Sequence, residues 1–272
     1  MRTVMKKIRE ILKQLNNKKT KAALITGIGA AFLVLTFCIC SFASQQEIEA
    51  SNMYGDRKLP IYCVETEEKV VALSFDAAWG NEATDRILDI LERQDVKVTF
   101  FMTGGWVSAY PEDVKKIYAA GHELGNHSEN HLNMSELSVP EIEEEIMTVH
   151  NKVKELTGYE MCVFRPPYGD YDNDVITGVE NCNYYATQWS VDSLDWKNYG
   201  VDSIIQTVTC HENLGCGSII LCHNGAKYTA DALEEMIIAL KEQGYSFVKM
   251  SDLIYKEDYR MDVTGRQCPC EE

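Results

Sequence analysis

Short apolar runs alternate with amphipathic segments over residues 69–255 of this 272-residue chain. A run such as VVALSFD (70–76) is too short for a helix and predicts a buried strand, whereas residues 81–94 carry apolar side chains at helical spacing. Repeated strand–helix alternation predicts an α/β fold, with a parallel sheet covered by helices that closes into a barrel when seven or eight units are present. The predicted strands are residues 70–76, 97–104, 123–126, 161–165, 184–192, 218–223 and 245–250. The predicted helices are residues 81–94, 111–121, 135–158, 201–209 and 228–243.

An uncharged apolar segment of 22 residues, Ala22 to Ala43, precedes this pattern. At about 1.5 Å per residue it can cross a hydrocarbon core of about 30 Å. Basic residues flank only its amino-terminal side, which predicts a cytoplasmic tail at 1–21, a single transmembrane anchor at 22–43 and a domain outside the bacterial membrane. The alternative is a secreted protein, because residues 41–43 (Ser-Phe-Ala) fit a small-x-small signal cleavage site.

Charge and cysteine content refine this division of the chain. Residues 1–21 contribute +7 to a net charge of −16, so the remainder carries −23 and is unsuited to binding nucleic acid through its phosphates. We expect a linker at 44–67, the folded domain at 68–256 and a tail at 257–272. Eight cysteines follow the apolar segment, which suggests disulfides in an exported domain or free thiols in a reducing habitat. Cys268 and Cys270 could form a metal or redox pair, or be no more than part of a tail.

Chemically versatile side chains follow several predicted strands at their carboxyl ends. In a parallel α/β barrel those ends share one rim, where active sites are built. The shared rim makes a common function more plausible than it would be for any of the residues alone. The residues concerned are Asp76, His127, His131, Arg165, Asp195, Trp196 and His223.

Each of these residues also has a plain structural explanation. His127 and His131 would face the same way on one helical turn and could bind a divalent metal, or they could lie in a capped, solvated turn. Asp76 could be a catalytic base or a buried structural acid, with Arg165 as its natural partner. His223 could be a general acid near neutral pH or a core histidine.

Five segments together resemble the motifs of the polysaccharide deacetylases, the NodB-homology carbohydrate esterases, and look most like the sporulation-type members. The resemblance covers residues 68–255 and implies a distorted (β/α)7 barrel that hydrolyses N-acetyl groups of amino-sugar polymers. The implied substrate is a glycan such as peptidoglycan or a chitin-like oligosaccharide. The segments are SFDAAWG (74–80), GNHSENH (125–131), FRPPYG (164–169), SVDSLDW (190–196) and IILCHNG (219–225).

The resemblance also implies acid–base roles for four residues. Asp76 would be the general base that activates water, and Arg165 would hold it in place. His223 would be the general acid that protonates the leaving amine, and Asp195 would tune His223. Amide hydrolysis needs these two functions, a nucleophilic water and a protonated leaving group.

Five further residues receive implied roles in binding. His127 and His131 would be ligands of a divalent metal, usually Zn²⁺, with Co²⁺ or Ni²⁺ also compatible with such a site. Trp196 and Leu221 would wall the pocket for the acetyl methyl group. The backbone amide of Tyr168 would help the metal to hold the oxyanion.

Ala77 departs from the family pattern, because many members have there a second aspartate that is the third metal ligand. Water could fill the vacant coordination position, or Asn81 or Glu82 could reach in. Alternatively the metal is bound weakly or not at all, and the domain is a glycan-binding or sporulation scaffold. The leading hypothesis from the sequence remains a membrane-anchored, metal-dependent deacetylase of cell-wall or spore peptidoglycan. The sequence does not distinguish N-acetylglucosamine from N-acetylmuramic acid as the substrate.

Overall fold

A curled sheet covered by helices organises residues 51–272, one of the two units into which the chain divides, the other being residues 1–50. The structure is a computed structural model that describes residues 5–7, 9, 53–54 and 56–270. The predicted transmembrane segment, 22–43, lies outside these residues. Within the described ranges, no helix has both the length and the apolar character needed to cross a membrane.

The strands are short except for two long central ones. In chain order they are β1 Met53–Tyr54, β2 Arg57–Lys58, β3 Cys63–Val64, β4 Val70–Ala77, β5 Thr99–Met102, β6 Glu123–Asn126, β7 Val163–Phe164, β8 Tyr185–Ala186, β9 Val191–Asp192, β10 Ser218–His223, β11 Ser246–Phe247, β12 Tyr259–Met261 and β13 Arg266–Pro269. The helices are α1 Thr84–Arg93, α2 Gly104–Ala109, α3 Pro111–Ala119, α4 Val139–Thr157, α5 Asn173–Asn181, α6 Val201–Thr209, α7 Thr229–Glu242 and α8 Met250–Leu253.

The main sheet has the strand order β12-β13-β3-β10-β4-β5-β6-β7-β8, with β9 also paired to β10 and β11 to β4. Wherever two strands of the series from β4 through β11 pair, their ladder is parallel, as the strand–helix alternation predicted. No ladder joins β8 to β9 in the described part of the chain. Instead Ile61 donates its N–H to the carbonyl of Ala186 at 2.8 Å and accepts from the N–H of Gln188 at 2.7 Å. The sheet is therefore a curled, incomplete barrel.

Local sequence explains the longest helix, α4. Ser138 and Glu141 form a reciprocal capping box at its start, and Pro140 lies in the first turn. Gly158 ends the helix in a left-handed conformation with φ 74°. The predicted span of 135–158 therefore differs from the observed helix only at its first residues, which form a separate 3-10 turn at Met134–Glu136.

Three helices, α2, α5 and the four-residue α8, were not predicted. Helix α2 begins with Gly104 and Gly105, which are poor helix formers. Helix α5 contains Gly178, where a Cβ atom would lie 2.7 Å from the side chain of Ile142, so the glycine permits close packing on α4. Tertiary contacts select these helices where local propensity does not.

Strands of the main sheet lie within both the predicted linker and the predicted tail. Strand β3, within the linker of 44–67, pairs with β10 and with β13. Strands β12 and β13, within the tail of 257–272, form an antiparallel hairpin. The pairings of β3 with β10 and with β13 join Cys63 to Ser218 and to Arg266, and local sequence patterns carry no signal for contacts so distant along the chain.

The cysteines do not form the disulfides that an exported domain suggested. All eight that follow residue 43 have free thiols in the structure. Cys268 is buried in β13 whereas Cys270 is exposed, so the two differ sharply in environment.

Strand β4 separates an apolar core from the interior of the curled sheet. Leu73 and Phe75 pack into the larger core cluster, together with the apolar faces of the helices. Ala72 belongs to a second cluster with Phe101, on the opposite face of the strand. Ser74 and Asp76 continue the face of Ala72, so the interior becomes polar toward the carboxyl end of β4.

We predict that Gln267→Ala destabilises the domain by roughly 2 kcal/mol, because Gln267 is fully buried and ties the hairpin to Tyr255. Its Oε1 accepts from the N–H of Tyr255 at 2.8 Å and its Nε2 donates to the carbonyl of Tyr255 at 2.7 Å. Urea unfolding measures the effect. Gln243→Ala is the control, because exposed Gln243 makes one surface hydrogen bond, to Thr209. Equal stability of the two variants would show that the hairpin is not an integral part of the domain.

Candidate active site

Asp76 and Arg165 form a buried ion pair at the carboxyl end of β4. Arg165 Nη1 donates to Asp76 Oδ1 at 2.7 Å, and the two side chains are 0% and 7% exposed. Burial acts to raise the pKa of the Asp76 carboxyl, but the Arg165 guanidinium and two neighbouring histidines outweigh it and bring this pKa below its ordinary value. Asp76 is therefore ionised at neutral pH and able to accept a proton.

The rest of the Arg165 guanidinium is held by polar atoms and aromatic rings. Its Nη2 donates to Ser74 Oγ at 2.9 Å and to the carbonyl of Gln188 at 3.2 Å. Its carbon centre lies 4.1 Å from the centroid of Phe101 and 5.7 Å from that of Trp189. These contacts fix the cation, and through it the orientation of Asp76.

His127 lies beside this pair and is kept neutral. Its Nδ1 is 2.7 Å from the carbonyl of Arg165, which can only accept, so Nδ1 carries the proton and Nε2 presents a lone pair. His127 Nε2 lies 3.6 Å from Asp76 Oδ2. Burial lowers the pKa of His127 to about 4. A neutral imidazole with a free Nε2 is the form that binds a metal ion.

His131 reaches the same place through a loop and not through a helix, which corrects the helical-turn argument. Ser128 and His131 have left-handed φ values of 64° and 55°, and the His131 N–H donates to Ser128 Oγ at 3.0 Å. The ring centroids of His127 and His131 are 5.0 Å apart. The structure thus brings the two histidines together by a different local geometry from the one expected.

His223 and Asp195 form a second buried network. Asp195 Oδ1 lies 2.7 Å from His223 Nδ1, and Asp195 Oδ2 accepts from the His223 N–H at 2.7 Å and from Thr229 Oγ1 at 2.6 Å. Burial acts to lower the pKa of His223, but the hydrogen bond and charge of Asp195 outweigh it and raise this pKa above its ordinary value. His223 therefore holds a proton near neutrality, with Nδ1 turned to Asp195.

The two networks meet across one ladder. In the parallel pairing of β10 with β4, His223 is the register partner of Asp76. Adjacent strands lie about 4.8 Å apart, so a carboxylate of lowered pKa and an imidazole of raised pKa face one small space. Leu221, which is 3% exposed, lies on the same face of β10 as His223.

Two of the residues expected to shape a pocket are largely exposed at the rim. Tyr168 is 69% exposed and its ring meets that of His131 edge to face, with centroids 4.6 Å apart. Trp196, which follows Asp195 directly, is 50% exposed. Leu221 alone of the three is buried.

The third metal ligand of the family pattern has no substitute among the described residues. Ala77 is fully buried and packs in the larger apolar cluster. Asn81 donates to Asp113 at 2.6 Å, and the Glu82 carboxylate accepts from the backbone N–H of Asn81 at 3.1 Å. Over the part of the chain that the structure describes, no group of three His, Cys, Asp or Glu side chains is arranged to hold a metal ion. Of the expected metal ligands, the site thus retains His127 and His131.

Sequence reasoning missed three residues that complete these networks. Ser74 lies two positions before Asp76 on the same face of β4, so strand alternation could have identified it. Gln188 acts through its backbone carbonyl and Thr229 begins α7, and neither position carries a signal in the sequence.

Comparisons with known proteins agree with this geometry. The family model described as "Polysaccharide deacetylase" matches residues 64–187. Peptidoglycan-N-acetylmuramic acid deacetylase PdaA of Bacillus subtilis is 32% identical over 208 residues, which cover 74% of this chain and 77% of that protein. A peptidoglycan-N-acetylglucosamine deacetylase of Bacillus cereus is 36% identical over 196 residues, which cover 70% of this chain and 91% of that protein.

Solved structures include a relative without catalytic activity. The crystal structure of a CE4 family pseudoenzyme from Bacillus anthracis superposes with a TM-score of 0.69 at 34% identity, covering 78% of this chain and 73% of that one. The fold is therefore shared by relatives named as deacetylases and by a relative named as a pseudoenzyme.

We predict that the pKa of the His223 imidazole lies above its ordinary value of about 6.5 in the wild type and below that ordinary value in Asp195→Asn. The substitution removes the carboxylate charge while burial, which disfavours the imidazolium, remains. Titration of the His223 ring protons by NMR measures both values. Asp202→Asn is the control, because Asp202 is exposed in the first turn of α6. An unchanged midpoint in Asp195→Asn would show that Asp195 does not set the protonation of His223.

Proposed function

This chain belongs to the polysaccharide deacetylase family of hydrolases, and from that membership we propose that it removes N-acetyl groups from the amino sugars of cell-wall or spore peptidoglycan. The observation that carries the proposal is the pairing of Asp76 with His223 across the β4–β10 ladder, each with its own buried partner. Two titratable groups whose environments move their pKa values apart are the usual basis of acid–base catalysis. The relatives named above act on N-acetylglucosamine or N-acetylmuramic acid, and either sugar suits this chemistry.

The proposed reaction uses the two networks in sequence. Asp76 accepts a proton from water, whose oxygen attacks the acetyl carbonyl carbon. His223 then gives its Nε2 proton to the leaving nitrogen as the C–N bond breaks, which yields acetate and a free amine. Asp195 holds the Nδ1 side of His223 throughout, and the backbone N–H of Tyr168 stabilises the oxyanion. The acetyl methyl group would lie against Leu221 and Trp196.

His127 and His131 would hold a divalent metal, with Zn²⁺ the first candidate and Co²⁺ or Ni²⁺ compatible alternatives. The hydrogen bond from His127 Nδ1 to a backbone carbonyl supports this role, since it orients the ring for coordination through Nε2. When bound, such an ion polarises the acetyl carbonyl and lowers the pKa of water. With two protein ligands instead of three, its affinity would be weaker than that of a complete site.

We propose that the catalytic domain lies outside the bacterial membrane, where peptidoglycan is found. The uncharged segment of 22–43 and the basic residues that precede it support an uncleaved anchor with an internal amino terminus. Secretion after cleavage near residue 43 is the alternative.

A second candidate function is a glycan-binding or sporulation scaffold with little or no catalysis. Ala77 favours it, because alanine cannot coordinate a metal. The similarity to a CE4 family pseudoenzyme shows that this fold can exist without activity. The intact acid–base set favours the enzyme, since a scaffold has no need of Asp76, Arg165, Asp195 and His223 together.

We predict that the purified full-length chain with added Zn²⁺ releases acetate from N-acetylated peptidoglycan, and that His223→Ala lowers kcat by about 10²–10⁴-fold. The loss follows from removal of the proton donor. Enzymatic determination of acetate measures the rate, and circular dichroism verifies that the variant folds. His211→Ala is the control, because His211 lies in the loop after α6 and away from the two networks. Absence of acetate release by the folded wild type with Zn²⁺, Co²⁺ or Ni²⁺ would favour the scaffold.

We predict that Ala77→Asp makes the stability of the domain dependent on metal. Without metal, a carboxylate at this fully buried position lowers the melting temperature, because an unpaired buried charge is costly. The carboxylate can leave the apolar cluster only by turning toward His127 and His131 as a third ligand, so Zn²⁺ should raise the melting temperature of Ala77→Asp more than that of the wild type. Thermal unfolding with and without Zn²⁺ measures both shifts, and Ala77→Ser is the uncharged control. Equal Zn²⁺ effects on all three proteins would show that residue 77 is not next to the metal.

A further inference from the structure

Two exposed aromatic residues each contact one of the functional histidines. The indole of Trp79, which is 50% exposed, stacks on the imidazole of His223 with centroids 5.8 Å apart and an interplanar angle of 26°. The ring of Tyr168 contacts the imidazole of His131 edge to face. Both rings present an apolar face to solvent directly beside the two networks, where a ligand bound at the site can cover them.

The position of Trp79 is fixed by the loop that follows β10. A Cβ atom at Gly225 would lie 2.8 Å from the indole Cδ1 and 2.9 Å from its Nε1. The same atom would lie 2.3 Å from the carbonyl oxygen of Trp79. Only glycine therefore fits at 225, two residues after His223. One side of the indole packs against this loop and His223, and the other side faces solvent.

Tyr168 is held in a conformation that packing does not explain. Its φ of 60° lies in the left-handed region, which is unfavourable for a bulky L-residue. The side chain is nevertheless 69% exposed, so the strain does not place it in the core. Strained exposed residues concentrate at ligand sites.

We propose that Trp79 and Tyr168 are aromatic walls of an extended glycan-binding surface, and that Trp79 stacks on the sugar next to the one that reacts. The apolar C–H face of a pyranose ring with equatorial substituents suits the flat indole. The charge of −23 beyond residue 21 favours an uncharged stretch of amino sugars over an anionic polymer. Through its contact with His223, Trp79 is also a positioning residue for the proposed acid. The inference rests on the proposed function for the identity of the sugar and of the reaction.

Calorimetric binding of N-acetylchitotetraose to the full-length chain tests the surface. Trp79→Ala should weaken binding about five- to tenfold, whereas Trp79→Phe, which keeps an aromatic face, should remain within about twofold of the wild type. Tyr118→Ala is the matched control, because Tyr118 is a similarly exposed aromatic residue, at 39%, that packs on Tyr159. It should bind as the wild type does.

Tryptophan fluorescence separates stacking from a general structural effect. The tetrasaccharide should change the emission of the wild type, and most of that change should be lost in Trp79→Phe although its affinity is kept. If Trp79 had only a structural role, the change in emission would follow the affinity, so Trp79→Phe would keep both. Trp79→Ala should also lower kcat, because His223 loses the ring that orients it, whereas Trp79→Phe should restore kcat.

The outcomes separate this inference from the proposed function. The inference is wrong if the wild type does not bind the tetrasaccharide, or if Trp79→Ala binds it as tightly as Trp79→Phe does. If binding depends on Trp79 while no acetate is released, the proposed hydrolysis fails and the glycan-binding surface stands.

Discussion

The buried guanidinium of Arg165 is the constraint on which the rest of the site depends. A fully buried cation is unfavourable unless an anion and further hydrogen-bond acceptors surround it. Here the anion is Asp76, and Ser74 and the carbonyl of Gln188 complete the set. Asp76 and Ser74 lie on β4 and Gln188 follows β8, so the Arg165 side chain joins elements that are distant in sequence. The carbonyl of Arg165 in turn fixes the tautomer of His127. One residue therefore orients both the proposed base and a proposed metal ligand.

Asp195 organises a second hydrogen-bonded network. Its carboxylate accepts from the backbone N–H of His223, from the ring Nδ1 of His223 and from the Thr229 hydroxyl, so these hydrogen bonds satisfy the buried acid. The parallel register of β4 and β10 then places His223, and with it this network, opposite Asp76. One ladder in the sheet thus places the proposed base and the proposed acid, whereas loops and turns supply Asp195, His131 and the rim. Such a division is typical of folds in which strands fix the reacting groups and loops adapt the substrate surface.

Sequence patterns predicted the parts of this arrangement that depend on strand ends. Asp76, Arg165 and His223 were placed together correctly because parallel strands share one rim. The approach of His131 was not predictable, since the left-handed residues of its loop leave no periodic signal. The attachment of β13 to β3 and the closure of the sheet by Ile61 were missed because they rest on pairings between distant segments. Whether Ala77 abolishes metal binding is likewise not encoded in a motif, because it depends on the side chains that surround it.

The position of β3 has a consequence for how the domain is made. This strand is among the first elements of the domain, but its partners β10 and β13 are among the last. Folding that depends on contacts across most of the chain is slow, since the entropy of loop closure must be lost before those contacts form. During synthesis, β3 cannot complete its pairing until β13, Arg266–Pro269, has left the ribosome. The unpaired edges meanwhile stay exposed, so the domain depends on completing its chain before it can protect them from aggregation.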